Sequence, residues 1–234
     1  MGYLEEAAII VNPREIEVGG CQRGWLVTFI QRSLILLLMC GSSLPSRAGE
    51  VLIETNVGSM RVELFNEQAP ETVKNFLSYV DEDGYEGAIF HRVIEGFMIQ
   101  TGGYRADLDS LPEREGVMNE ADNGLKNIRG MLAMARMDEI DSATRQFFIN
   151  VADNPHLDHQ EGSCSRADEL ERIQAAERGL LKPRTCLSFG YAVFGRVIDG
   201  MDVVDAIAQT ETDIEEDFLD MPTQRIWIKQ VRRP

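Results

Sequence analysis

Val51, Ile53 and Thr55 alternate with Leu52 and Glu54, and after Asn56-Val57-Gly58-Ser59 the residues Met60, Val62 and Leu64 resume the alternation. A period of two puts one set of side chains on a buried face, so the stretch predicts a β-hairpin with a short polar turn. The period then changes. Pro70 and Glu71 suit the first turn of a helix, and Val73, Phe76, Leu77 and Val80 follow at i, i+3, i+4 and i+7 until Asp83-Gly84. Ile89 to Ile99 is again strand-like, broken at Glu95-Gly96, and Met131 to Ala135, Gln146 to Val151, Tyr191 to Ile198 and Ile226 to Val231 are further strands. The continuous apolar character of the runs at 131–135 and 146–151 predicts burial on both faces. Gly200 precedes a short helix carrying Val203, Val204 and Ile207, and Asp213 to Asp220 reads as a solvated acidic loop.

Many strands, two well-separated helices and no βαβ rhythm predict a mainly β chain, an antiparallel barrel or sandwich with helical caps. One segment is out of character. Ser165 suits an N-cap with Asp168 three residues on, Leu170 and Ile173 form an apolar edge, and Gly179 is a stop. Cys164 and Cys186 flank it, which predicts a helical excursion at about 160–189 stapled to the barrel by a disulfide. Two free buried thiols are the alternative.

Composition is that of a globular protein, 44% hydrophobic and 26% charged, so a core can form without metals. The net charge of −16 argues against nucleic acid and against docking on an anionic membrane; it is read as solubility, with a monomer expected. Residues 1–48 look different from the rest. Leu34 to Cys40 is an apolar run too short to span a bilayer, with Arg32 before it and Ser46-Arg47-Ala48 after it. That pattern predicts a signal peptide cleaved after Ala48, a periplasmic protein over 49–234, and no stable membrane association after processing. The acidic stretch before Trp25 points to a true translation start near Leu26 or Val27.

Phe90-His91-Arg92-Val93-Ile94-Glu95-Gly96-Phe97-Met98-Ile99-Gln100, followed by Gly102-Gly103, resembles the signature of the cyclophilin family. Asn119-Glu120-Ala121, Met131-Leu132-Ala133-Met134-Ala135, Gln146-Phe147-Phe148-Ile149, Leu157-Asp158 and Val193-Phe194-Gly195 follow in the family's order. The likeness covers nearly all of 50–231 and is strongest to the periplasmic cyclophilins of Gram-negative bacteria. It implies a closed eight-stranded antiparallel barrel capped by two helices, with the 160–189 excursion added. It also implies a peptidyl-prolyl cis-trans isomerase whose partners are proline-containing polypeptides. By resemblance Arg92, Gln100 and Phe97 are catalytic, and Gln100 holds the Arg. Phe97, Met98, Phe147 and Leu157 form the proline socket, with His156 and Tyr191 as further pocket residues. Gln146 and the Ala135-Arg136 backbone grip an extended peptide. Phe148, facing away from Phe147, is expected in the core.

Rotation about a prolyl amide breaks no bond, so the reaction asks for no nucleophile, cofactor or metal. Histidines at 156 and 159 with Asp158 have spacing too loose for a metal set, and His91 is read as structural. Two rival readings stand beside the enzyme. One is a catalytically weak module that binds proline segments; the other is an envelope-anchored protein tethered by residues 1–48.

Overall fold

Gly49–Thr55 (β1) and Ser59–Leu64 (β2) pair as the alternation requires, with Val51 opposite Val62 and Ile53 opposite Met60. All four side chains are buried, because period-two alternation sends them to one face. The computed structural model describes residues 49–180 and 186–234; the leader expected over 1–48 lies outside the described residues. Further strands are β3 (Phe90–Ile94), β4 (Met98–Thr101), β5 (Met131–Met134), β6 (Phe147–Asn150), β7 (Val193–Asp199), β8 (Thr212–Glu215), β9 (Phe218–Pro222) and β10 (Ile228–Arg232).

Eight of these form one antiparallel sheet in the order β10-β1-β2-β7-β5-β6-β4-β3. Its edges meet at an antiparallel bridge between Ile89 and Trp227. There the Phe90 N–H donates to the Ile226 carbonyl at 2.9 Å and the Ile228 N–H to the Ala88 carbonyl at 2.8 Å. Closure leaves no long unpaired edge, and the expected barrel is what forms. Two helices pack their apolar faces into its interior, α1 (Pro70–Val80) through Val73 and Phe76, and α3 (Met201–Ala208) through Val204 and Ile207. Phe76 sits at the centre of an aromatic cluster, its ring 5.2 Å from Tyr85, 5.5 Å from Phe147 and 5.2 Å from Phe194. The first turn of α1 has no side-chain cap of its own. Glu120, from a distant loop, accepts from the Thr72 N–H at 2.8 Å and the Glu71 N–H at 3.2 Å, satisfying donors that a helix start leaves open.

The excursion folds as α2 (Arg166–Glu177), with the Ser165–Asp168 capping box in place. A disulfide joins Cys164 to Cys186. The apolar edge of α2, however, does not pack: Leu170 is 56% exposed and Ala175 is the residue of α2 that is buried. Polar contacts hold the helix instead. Arg166 makes a two-pronged pair with Asp141, and Glu169 accepts from the Ile140 N–H at 2.8 Å. Burial pulls the Asp141 carboxyl upward, but the Arg166 and Asn119 hydrogen bonds outweigh it and hold its pKa below the usual range. The acidic stretch 213–220 also departs from expectation. It is not a loop but the hairpin β8–β9, with Asp213 opposite Met221 and Glu215 opposite Phe218.

Candidate active site

Each strand around β4 carries two kinds of buried side chain because both faces of the sheet are covered here. Ile99, Phe147, Ile149, Leu132 and Phe194 point into the barrel. Met98, Phe148, Ala133 and Val193 belong to a second cluster on the other face, with Leu157 delivered by the 3-10 turn Pro155–Leu157. Register fixes a row across that face: Arg92 lies opposite Gln100, Gln100 opposite Phe148, Phe148 opposite Ala133, and Ala133 opposite Val193. Cross-strand partners share a face, so the row places a cation and an amide at one end of an apolar floor.

Phe97, Ala135 and Tyr191 are half-buried against this cluster. The Tyr191 ring meets Phe148 edge-on at 5.8 Å, and the exposed His156 ring stacks on Phe97 at 5.5 Å. Glu95 and Gly96 make the tight turn that delivers Phe97, with Gly96 at φ 71°, the left-handed region that favours glycine. The Gln100 amide donates to the Gln146 side-chain oxygen at 3.0 Å. Gly103 makes room for that pair, since a Cβ there would come within 2.6 Å of the Gln146 amide carbon.

Two expectations change. Phe147 is not in the socket: it is fully buried among Phe76, Tyr85 and Phe194, and Phe148 takes the outward position. The two do face opposite ways, but with the faces exchanged. Gln100 does not hold Arg92; the guanidinium Nε instead donates to Asp220 at 3.4 Å. The Ala135 N–H is already donated to the Gln146 carbonyl at 2.9 Å. The Arg136 side chain donates to the Gly190 carbonyl at 3.0 Å and the Cys186 carbonyl at 2.8 Å and lies 5.1 Å over the Tyr191 ring. That ties the excursion to the wall of the apolar face, and burial lowers the Arg136 pKa against the pull of Tyr191 and nearby carboxylates.

One supporting residue carries no sequence signal. Arg145, 2% exposed, donates to the carbonyls of Gly102 at 2.6 Å, Pro112 at 2.8 Å and Gly84, and packs between Tyr79 and Tyr85 behind Gln146. An Arg within a polar stretch reads as surface until the carbonyls that converge on it are known. His91, beside Arg92, is buried against Tyr104 and Phe218. Burial pushes its pKa down to about 4, against the pull of the Ile89 carbonyl and the Gln146 side chain, and the Arg92 charge adds to the drop. His159 is engaged at Nδ1 with the Phe189 carbonyl at 2.8 Å, and Asp158 accepts from the Asn127 N–H at 2.7 Å.

The family model for cyclophilin type peptidyl-prolyl cis-trans isomerases matches residues 50–233. Peptidyl-prolyl cis-trans isomerase A of Dickeya dadantii is 42% identical over 182 residues, which cover 78% of this chain and 83% of that protein. Peptidyl-prolyl cis-trans isomerase B of Escherichia coli is 42% identical over 181 residues, covering 77% of this chain and 97% of the relative. A cyclophilin type isomerase of Cryptosporidium parvum, crystallised in the presence of the dipeptide Ala-Pro, superposes with a TM-score of 0.54 at 26% identity over 79% of this chain and 98% of its own.

Proposed function

The chain belongs to the cyclophilin-type peptidyl-prolyl cis-trans isomerase family, and from that premise we propose that Arg92 assists the twisting of an Xaa-Pro amide seated on the Met98–Phe148 face. The activity itself, interconversion of cis and trans prolyl bonds, follows from the family. The observation that carries the mechanism is the row of partners across the sheet, which ends an apolar floor in a guanidinium.

A planar amide resists rotation by about 18–20 kcal/mol because the nitrogen lone pair is delocalised into the carbonyl. For Xaa-Pro both isomers lie within about 1 kcal/mol, so interconversion is slow rather than unfavourable. At the twisted midpoint the lone pair returns to a pyramidal nitrogen. A cation beside that nitrogen stabilises the twist more than either planar state, which is what lowers a barrier. The Arg92 guanidinium carries a delocalised positive charge and offers several donors in one plane. Met98, Phe148, Leu157 and Phe97 remove water from the proline ring, and Gln100 with Gln146 offers polar contacts to the flanking backbone.

The test is cis-trans exchange on a short Ala-Xaa-Pro-Phe peptide. The protein should accelerate exchange strongly, and Arg92→Ala should lose at least about a hundredfold, or roughly 2.7 kcal/mol of transition-state stabilisation. Full activity in the variant would remove Arg92 from the mechanism. The reading extends to folding of exported proteins, where uncatalysed prolyl exchange takes tens of seconds. Its support is the apolar run Leu34 to Cys40 with Ser46 and Ala48 beyond it. N-terminal sequencing of the protein recovered from cells should then begin at Gly49; a retained Trp25 segment would favour a tether.

A further inference from the structure

The acidic hairpin β8–β9 does more than add surface charge. Its second strand sends Phe218 and Asp220 to one face at i and i+2, while Leu219 between them is 70% exposed. The Phe218 ring packs edge-on against Tyr104 at 4.8 Å and His91 at 5.9 Å, which seats the hairpin on β3. Two residues further, Asp220 Oδ2 accepts from Arg92 Nε at 3.4 Å. Behind this contact the hairpin is held firmly. Met221 and Pro222 are buried, the Thr223 N–H donates to the Glu211 carbonyl at 2.9 Å, and Arg225 pairs with Glu215. Among the described residues Asp220 is the one hydrogen-bond partner of the Arg92 side chain, since Gln100 is engaged with Gln146.

We propose that Asp220 is a positioning residue, holding Arg92 through Nε so that its two terminal nitrogens face the prolyl amide. The inference rests on the reading of Arg92 as the cation that stabilises the twisted amide. A guanidinium is a rigid plane at the end of a long flexible stem. Fixing Nε sets that plane and removes rotamers in which the terminal donors point to solvent. In the free protein the pair is partly exposed, with side chains 46% and 33% accessible, and such a pair contributes little to stability. Its consequence is therefore kinetic. A peptide lying on the apolar face covers the guanidinium and lowers the screening around it, so the orientation set by Asp220 is carried into the transition state.

The experiment measures kcat and KM for prolyl exchange in Asp220→Asn, Asp220→Glu and Asp217→Asn, and Asp220→Asn again in an Arg92→Ala background. Asp217 is exposed on the same hairpin, so its variant removes the same charge without the contact. Asp220→Asn should lower kcat about tenfold with KM within about twofold, as expected when only orientation in the transition state is lost. Asp220→Glu should recover part of the loss, and Asp217→Asn should keep the rate of the parent. In the Arg92→Ala background Asp220→Asn should have little further effect, since two residues acting on one interaction are not additive. Unchanged kcat in Asp220→Asn, an equal loss in Asp217→Asn, or a full loss persisting without Arg92 would each overturn the proposal. Full activity in Arg92→Ala alone would instead overturn the reading of Arg92 on which it rests.

Discussion

Phe147 and Phe148 are adjacent on β6 and almost equally buried, 0% and 4% exposed, yet they belong to different parts of the molecule. Phe147 is locked edge-on against Phe76 and Tyr85, each at 5.5 Å, inside the barrel. Phe148 lies on the outer face with Met98, Leu157 and Val193, in the row that ends at Arg92. Same residue type, same strand and similar burial therefore serve the barrel interior in one case and the proposed binding face in the other. Burial does not separate them; cross-strand register does. His91 and Arg92 repeat the contrast, a buried neutral imidazole beside an exposed cation.

Alanine at each phenylalanine is the strongest way to break this contrast. Phe147→Ala should cost about 3–5 kcal/mol of stability by opening a cavity among the interior aromatics, with kcat/KM of the folded protein within about twofold. Phe148→Ala should lower kcat/KM about tenfold or more, a loss of about 1.4 kcal/mol or more in the transition state, with a smaller drop in stability. Denaturant unfolding and exchange kinetics on the same samples separate the two. Equal kinetic losses would erase the distinction between the faces.

Acid sharpens the second pair. An unfolded His binds its proton near pH 6.5, whereas His91 in the fold does so only near 4. Between those values the unfolded chain holds more protons, so stability should fall as pH drops from about 6.5 to about 4, and this contribution should level off below that. The full contribution is on the order of 3 kcal/mol. Unfolding free energies across that range should show it, and His91→Gln should lack that share. The smallest effect is expected where an apolar residue is more than half exposed. Leu170→Ser should change stability by only about 0.5 kcal/mol, through helix propensity rather than packing, as thermal unfolding would show.

Most of the barrel is legible in the chain because its signals are local. The alternation from Val51 to Leu64, the i, i+4 face of α1 and the Ser165–Asp168 cap each depend on near neighbours. What was not legible depends on distant ones. Where a strand is apolar on both faces, as at Phe147–Asn150, the sequence carries no mark of which side is interior. In the hairpin β8–β9 the apolar Ile214 and Leu219 face solvent while Phe218 and Met221 pack inward, so its strands lack the regular alternation of a half-buried sheet. Glu120 capping α1, Arg145 gathering three carbonyls and Asp220 meeting Arg92 join residues 33 or more positions apart, beyond any spacing rule.

The central claim is that a proline-containing segment lies on the outer face beside Arg92, with the barrel interior uninvolved. Methyl NMR during titration with a short Ala-Pro-containing peptide tests it directly. Saturable shifts are expected at Met98, Leu157 and Ile94, while the interior methyls of Met60, Ile99 and Leu132 stay in place. Shifts confined to the interior set, with the outer methyls silent, would contradict the account.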